Sequence, residues 1–280
     1  MNLSESQLER YGRQLILPEV GATGQQRLAQ ARVLLVGAGG LGSPAAWYLA
    51  AAGVGTLGLV DSETVELSNL HRQILHSTRD LGVAKTASAK TKLEALNPET
   101  RVRAYHERLT AQRADALVAE YDVVLDGSDN IPTRYLVNDI CVLVGKPLVH
   151  GGIVGFDGQL LTVIPRRSAC FRCLFPEPPR PEDIPSCQQA GVLGSVAGVI
   201  GSLMAHEALK LVLGVGEPLT NRLLVLEGKT SRFREVPVRR RAGCEVCSET
   251  PTVRTIHDIE NDTQACAGAA VSDREAQGGI

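Results

Sequence analysis

Aromatic residues are scarce in this chain, at 4% of 280 residues with a single tryptophan, so any core must be aliphatic. An excess of charge is also missing. A net charge of -2 gives no electrostatic case for nucleic acid or an anionic membrane as a partner. No stretch approaches the ~20 uninterrupted apolar residues that span a bilayer. The N-terminus, MNLSESQLERYGRQ, lacks the apolar core of a signal peptide and reads as an exposed amphipathic helix. A cytoplasmic protein is the expectation. No histidine has the partner of an H-E-x-x-H zinc motif, no Ser-His-Asp arrangement is evident, and no internal repeat is visible.

What is present is a 44% apolar content arranged in short Val, Leu, Ile and Ala runs, which points to a buried parallel sheet covered by helices. Arg32 to Val36 reads as a strand, followed by Gly37-Ala-Gly39-Gly40-Leu-Gly42-Ser43 and a helix from Pro44 to Ala52. A second strand, Leu57 to Val60, stops at Asp61. Residues 62–85 are polar and irregular. Helices are then predicted over 84–96, 111–120 and 132–144, with strands at 102–105, 123–126 and 147–150. That alternation specifies an α/β fold with a doubly wound, mainly parallel, Rossmann-like sheet. From residue 151 the character changes to antiparallel strands up to Ile164, with Gly158 as the turn. A proline-rich loop at 174–186, a long helix at 195–213 and two strands near 222–227 and 232–238 follow. The expected organisation is an N-terminal helical segment at 1–30, a Rossmann-like half at 31–150, an antiparallel half at 151–247 and a flexible tail at 248–280.

The G-x-G-x-x-G run between strand and helix is a phosphate cradle, because its backbone can approach an anion at a helix N-terminus. Asp61 ends the next strand about 20 residues further on, where ribose hydroxyls would lie. Taken alone, these features fit an NAD or FAD enzyme equally well. The residues beyond shift the reading. Ser68-Asn69-Leu70-His71-Arg72-Gln73, Lys85 and Asp126-Gly127-Ser128-Asp129-Asn130 put two cations and a carboxylate beside the nucleotide. Such a set suits a triphosphate with Mg²⁺ better than a dinucleotide. The competing view leaves Arg72 and Lys85 as solvated surface charges.

Seven cysteines without a secretory context argue against disulfides. Cys170-x-x-Cys173 and Cys244-x-x-Cys247 form two knuckles that together can hold one tetrahedral zinc with no open position. The alternative is a redox-active pair. Cys187 precedes the long helix, where a thiolate can have a lowered pKa. It stands open between catalytic and structural roles. Cys141 reads as core, Cys266 as a tail residue without a specific role, Trp47 as packing and His206-Glu207 as helix surface.

RYGRQ at 10–14, GAGGLGS at 37–43, SNLHRQ at 68–73, Lys85 and DGSDN at 126–130 together resemble the ThiF/MoeB/HesA group of E1-like enzymes. The resemblance runs from about residue 5 to 247. It implies adenylation of the C-terminal glycine carboxylate of a ubiquitin-like sulfur-carrier protein ending in Gly-Gly, with ATP and Mg²⁺, in a homodimer. Gly37, Gly39, Gly40 and Gly42 would cradle the phosphates and Asp61 the ribose. Asn69, Arg72 and Lys85 would meet the phosphates and Asp129 the Mg²⁺, with Ser68, Gln73 and Asn130 completing the nucleotide set. Arg13 is similar to an arginine that reaches the partner subunit's ATP. The resemblance also favours Zn²⁺ on Cys170, Cys173, Cys244 and Cys247. In some members the cysteine matching Cys187 joins the carrier covalently, and in others it is dispensable.

A carboxylate with a reference pKa of ~3.5 is already ionised, so adenylation needs positioning rather than a general base. Other readings are an E1-like enzyme acting on a small molecule or tRNA base, a non-catalytic carrier scaffold, and an NAD-dependent dehydrogenase. The carrier's pathway (thiamin, molybdopterin or tRNA thiolation) is not legible. About thirty residues beyond the last knuckle are too few for a rhodanese domain. Sulfur would then come from a separate donor, such as a cysteine desulfurase or a rhodanese.

Overall fold

The short aliphatic runs become strands because helices return the chain across the sheet after each of them. In the computed structural model, which describes residues 3–178 and 191–256, β1 (Arg32–Val36), β2 (Thr56–Val60), β3 (Arg101–Tyr105), β4 (Val123–Asp126) and β5 (Leu148–Val154) are parallel. β6 (Asp157–Val163), β7 (Arg222–Glu227) and β8 (Arg232–Pro237) add an antiparallel extension. One eight-stranded sheet results, in the order β3-β2-β1-β4-β5-β6-β7-β8. This is the doubly wound, mainly parallel sheet with an antiparallel end that the sequence predicts.

Side chains along each strand alternate between two cores. Val33 and Leu35 of β1 enter a core with α3 (Gly42–Ala51), α4 (Lys85–Leu96) and α8 (Gly194–Leu213). Leu34 and Val36 enter the other, with α5 (Ala111–Ala119) and α6 (Ile131–Val144). Each fully buried Val or Leu contributes about 1.5–3 kcal/mol, so a sheet covered on both faces needs few aromatics. Cys141 lies in the second core, and Trp47 packs half-buried against the first. At the N-terminus, α1 (Glu5–Leu15) opens with a capping box between Ser4 and Gln7, and α2 (Gly21–Gln30) follows. Tyr11 of α1 is buried, with hydrogen bonds to Glu99 (3.1 Å) and Asn97 (2.9 Å).

Two local expectations need correction. Gly158 is not a turn. The chain reverses at Gly155 and Phe156, and Gly158 lies inside β6 against α8, where a Cβ would meet Ile200 at 2.4 Å. The glycine serves close packing, which the sequence does not distinguish from turning. Glu207 is not helix surface. It is 2% exposed and accepts hydrogen bonds from Thr162 Oγ1 (2.7 Å) and Leu219 N–H (2.8 Å), because β6 and the 214–221 connection close over that side of α8. His206, its neighbour, is exposed. The expected boundary between the parallel and antiparallel halves, at 150/151, lies within β5, and the two halves form one sheet.

Among the described residues α8 is the one helix long and apolar enough to cross a bilayer. It packs on α3, β5 and β6 as the central helix of its core, with its charged residues at the C-terminal end. A short α7 (Phe171–Leu174) carries the first cysteine knuckle into the proline-rich segment. Cys187 and Cys266 lie outside the described residues, as do the rest of that segment and most of the tail.

Candidate active site at the sheet's switch point

β1 and β4 are neighbours, yet their following helices lie on opposite faces, α3 on one and α6 on the other. The crevice between their carboxyl ends is the switch point at which open α/β sheets bind ligands. Two loops line it. The loop after β1 turns at Gly37, whose φ of +93° is open to glycine, and enters α3 at Gly42. A Cβ at Gly42 would sit 2.0 Å from Gly37 O, so only glycine closes this cradle. The loop after β4 lies against it, with Gly127 O 3.0 Å from where a Cβ at Gly37 would project.

The remaining groups arrive from β2, the irregular segment and α4. Asp61 accepts from Ala38 N–H (2.8 Å) and Glu63 N–H (2.9 Å), so it braces the cradle directly. Burial pushes its carboxyl up, and the Lys85 cation partly offsets this. Lys85, at the start of α4, is 2% exposed and ion-paired with Glu63. Arg72 donates to Ser68 O (3.0 Å), and its stem runs 3.5 Å from where a Cβ at Gly40 would stand. Gln73 is buried with its Nε2 3.4 Å from where a Cβ at Gly39 would stand, and its Oε1 has no hydrogen-bond partner among the described residues.

Other candidates are partly committed to the fold. Asn69 Oδ1 caps its own turn through Glu66 N–H (3.1 Å), and Ser68 Oγ donates to Glu66 (3.2 Å). Asn130 is the N-cap of α6, accepting from Thr133 N–H at 3.0 Å. Asp129, next to it, is exposed and has no hydrogen-bond or ion-pair partner among the described residues. Arg13 is not brought to this crevice. Tyr11, two residues earlier in α1, packs on Gly53 just beyond the C-terminus of α3. The glycine cradle lies at the other end of α3, ~15 Å away at 1.5 Å per residue.

Two buried histidines were overlooked in the sequence. His76 Nε2 lies 3.1 Å from Ala38 O and Nδ1 2.9 Å from Ser88 Oγ. A carbonyl only accepts, so Nε2 carries the hydrogen and Nδ1 accepts from the serine. Ala38 is thus held at its N–H by Asp61 and at its C=O by His76. His150 pairs with Asp126 at 2.8 Å. The usable signal was positional: His150 ends a predicted strand beside the one that Asp126 ends, and the two are register partners.

The four knuckle cysteines meet. All four sulfurs lie within 4.8 Å of one another, with Cys173–Cys247 at 3.4 Å, Cys170–Cys244 at 3.7 Å and Cys170–Cys173 at 4.0 Å. Four thiolates around zinc at ~2.3 Å would be about 3.8 Å apart, so this buried cluster could hold such an ion. Mutual hydrogen bonds among the four thiols draw Cys173 and Cys244 down while Cys170 and Cys247 are pushed up, so the fit to a metal rests on the sulfur geometry and burial.

Residues 11–246 match the ThiF family. The chain belongs to that family. A Thermus thermophilus sulfur carrier protein adenylyltransferase is 51% identical over 265 residues, covering 93% of this chain and 98% of that one. The adenylyltransferase and sulfurtransferase MOCS3 of Anopheles gambiae is 46% identical across 98% of this chain, which spans 62% of that protein's length. Among solved structures, E. coli MccB with ATP aligns at a TM-score of 0.73 and 25% identity, over 85% of this chain and 74% of that one. This ThiF-family chain is therefore an adenylyltransferase, and the dehydrogenase reading of its glycine loop is set aside.

Proposed function

We propose that this chain uses ATP to adenylate the C-terminal glycine carboxylate of a ubiquitin-like, ThiS- or MoaD-like sulfur carrier, activating it for sulfur transfer. The reading is supported by the glycine cradle, with the Arg72 stem against Gly40 and Asp61 bracing Ala38 beside the Lys85 cation, and by Asp129, exposed in the loop after β4 and without a partner among the described residues. A carboxylate oxygen of the carrier attacks the α-phosphorus. The bond to the bridging oxygen breaks, and pyrophosphate leaves with that electron pair. Arg72 and Lys85 stabilise the charge that develops, and the cradle N–H groups orient the phosphates. Asp61 meets the ribose while bracing Ala38. Asp129 would hold Mg²⁺, which supplies further neutralisation of the phosphates when bound. No proton has to be abstracted, so the site needs no base.

Zn²⁺ on Cys170, Cys173, Cys244 and Cys247 would tie the 241–247 segment to α7 as a structural clamp. The position of Arg13, remote from its own crevice, supports a homodimer in which it completes the neighbouring site. The antiparallel half from 151 to 247 is proposed to receive the carrier, with Cys187 open to a covalent role. A separate protein, such as a cysteine desulfurase or rhodanese, would supply sulfur, in the cytoplasm. The test is intact mass spectrometry of a Gly-Gly carrier incubated with the chain, ATP and Mg²⁺. An AMP adduct on the carrier, lost in Asp129→Ala while carrier binding persists, supports the reading. An unmodified carrier alongside an activated small molecule or tRNA refutes it.

A further inference from the structure

Beneath the 127–130 loop lies a closed ring of polar contacts that the adenylation chemistry does not itself use. Asp126, fully buried at the end of β4, accepts from Ser128 N–H (3.0 Å), Ser128 Oγ (2.6 Å) and His150 Nδ1 (2.8 Å). On the far side of the imidazole, His150 Nε2 lies 3.2 Å from Arg134 Nη1. Arg134 then returns to the loop, donating from Nη2 to Ser128 O at 3.0 Å.

The hydrogen positions follow from chemistry. A carboxylate only accepts and a guanidinium only donates, so His150 carries its hydrogen on Nδ1 and accepts at Nε2. It is a neutral link between a buried anion and a cation. Burial favours this neutral form, and the adjacent cation of Arg134 does so as well. Asp126 stays ionised because His150, Arg134 and Ser128 together outweigh the cost of its burial. Phe171 packs against the imidazole at a centroid distance of 4.5 Å, from the helix that bears the first cysteine knuckle. Gly152 leaves room for the guanidinium, since a Cβ there would stand 3.0 Å from Arg134 Nη1.

The ring takes up the N–H, the hydroxyl and the carbonyl of Ser128 together. Asp129, one residue later, makes none of these contacts. We propose that His150 and Arg134 are positioning residues which, through Asp126 and Ser128, fix the direction in which Asp129 presents its carboxylate to Mg²⁺. This rests on Asp129 being the Mg²⁺ ligand. Neither residue touches the substrates; they act by holding the loop.

The test is the Mg²⁺ concentration that half-saturates the enhancement of ATP binding, read by calorimetry on the full chain without carrier. Asp129→Ala sets the reference and is expected to abolish the enhancement. His150→Leu should raise the half-saturating Mg²⁺ about tenfold, the scale of one lost charge-assisted hydrogen bond, with metal-free ATP affinity unchanged. His150→Asn, whose amide can still donate to Asp126, should recover part of the shift, and Arg134→Lys should resemble His150→Leu. If His150→Leu does not fold, the other two variants decide. Nitrogen NMR of the imidazole should find the neutral form with its hydrogen on Nδ1. A shift for Asp129→Ala but for none of the others overturns the positioning role and leaves Asp129 in place. No shift for Asp129→Ala overturns the Asp129 reading and this proposal with it. A protonated His150, or its hydrogen on Nε2, also overturns the proposal.

Discussion

Replacing Lys85 by methionine separates its chemical role from its structural one. The side chain is 2% exposed, so methionine preserves the packing of its stem, and a volume-conserving change of this kind costs under about 1.5 kcal/mol. The ion pair adds little, because Glu63 is 63% exposed on its side chain and such pairs contribute about 0–1 kcal/mol. In a chain of this size each ~1 kcal/mol moves the melting temperature by only about 2–4 °C. The chemical cost is larger. Removing one preorganised group at developing charge lowers rates by about 10²–10³. Lys85→Met should therefore melt within a few degrees of the parent while single-turnover adenylate formation collapses. Glu63→Gln is the matched control. It releases the lysine from its partner, so ATP affinity should hold or rise. Asp61 adds a second sign, since it loses the cation that holds its carboxyl down and should titrate higher still in Lys85→Met. An unchanged adenylation rate in Lys85→Met, or a loss explained wholly by unfolding, would refute the reasoning.

Three further expectations follow from the same geometry. Cys244→Ser, or prolonged chelation, should lower the melting temperature by at least about 5 °C through loss of the clamp; elemental analysis without zinc and an unmoved melt would count against a metal there. Burial holds His76 and His150 below their ordinary value of 6.5. Between their folded values and 6.5 the unfolded chain binds more protons, so stability falls as pH falls through that window. Asp61, pushed up by burial, acts with the opposite sign nearer its ordinary 3.8. The urea midpoint should consequently decline from about pH 7.5 to about pH 5.5, and a flat profile would contradict it. Gly42→Ala places a methyl 2.0 Å from Gly37 O. Overpacking on the scale of ~1–3 kcal/mol should weaken ATP binding roughly tenfold or more while the sheet remains folded, as read by calorimetry and circular dichroism.

What the sequence makes legible is what local pattern controls. The β1 run, the G-x-G-x-x-G cradle and the following helix are consecutive in the chain, and their spacing specifies one βαβ unit. Arg72, Lys85 and Asp129 are separated in sequence, yet Arg72 lies in the connection after β2, Lys85 opens α4 and Asp129 lies in the loop after β4, so their places in the fold follow from the order of the elements. The cysteine knuckles carry their own spacing. The missed features depend on contacts between distant segments. Gly158 looks like a turn residue until Ile200 of α8 is laid against it. Glu207 looks solvated until Thr162 and Leu219 meet it. His150 has no local sign of function, because its partner Asp126 is supplied by the parallel register of β4 and β5. His76 acquires meaning only when the irregular segment folds it onto Ala38.

The most direct test of the central claim is ATP–pyrophosphate exchange measured with and without a purified sulfur carrier. The account predicts exchange that requires Mg²⁺ and a carrier with an intact Gly-Gly tail, and that vanishes when the terminal glycine is removed. Exchange that proceeds equally without the carrier, or none with any Gly-Gly carrier, would contradict it.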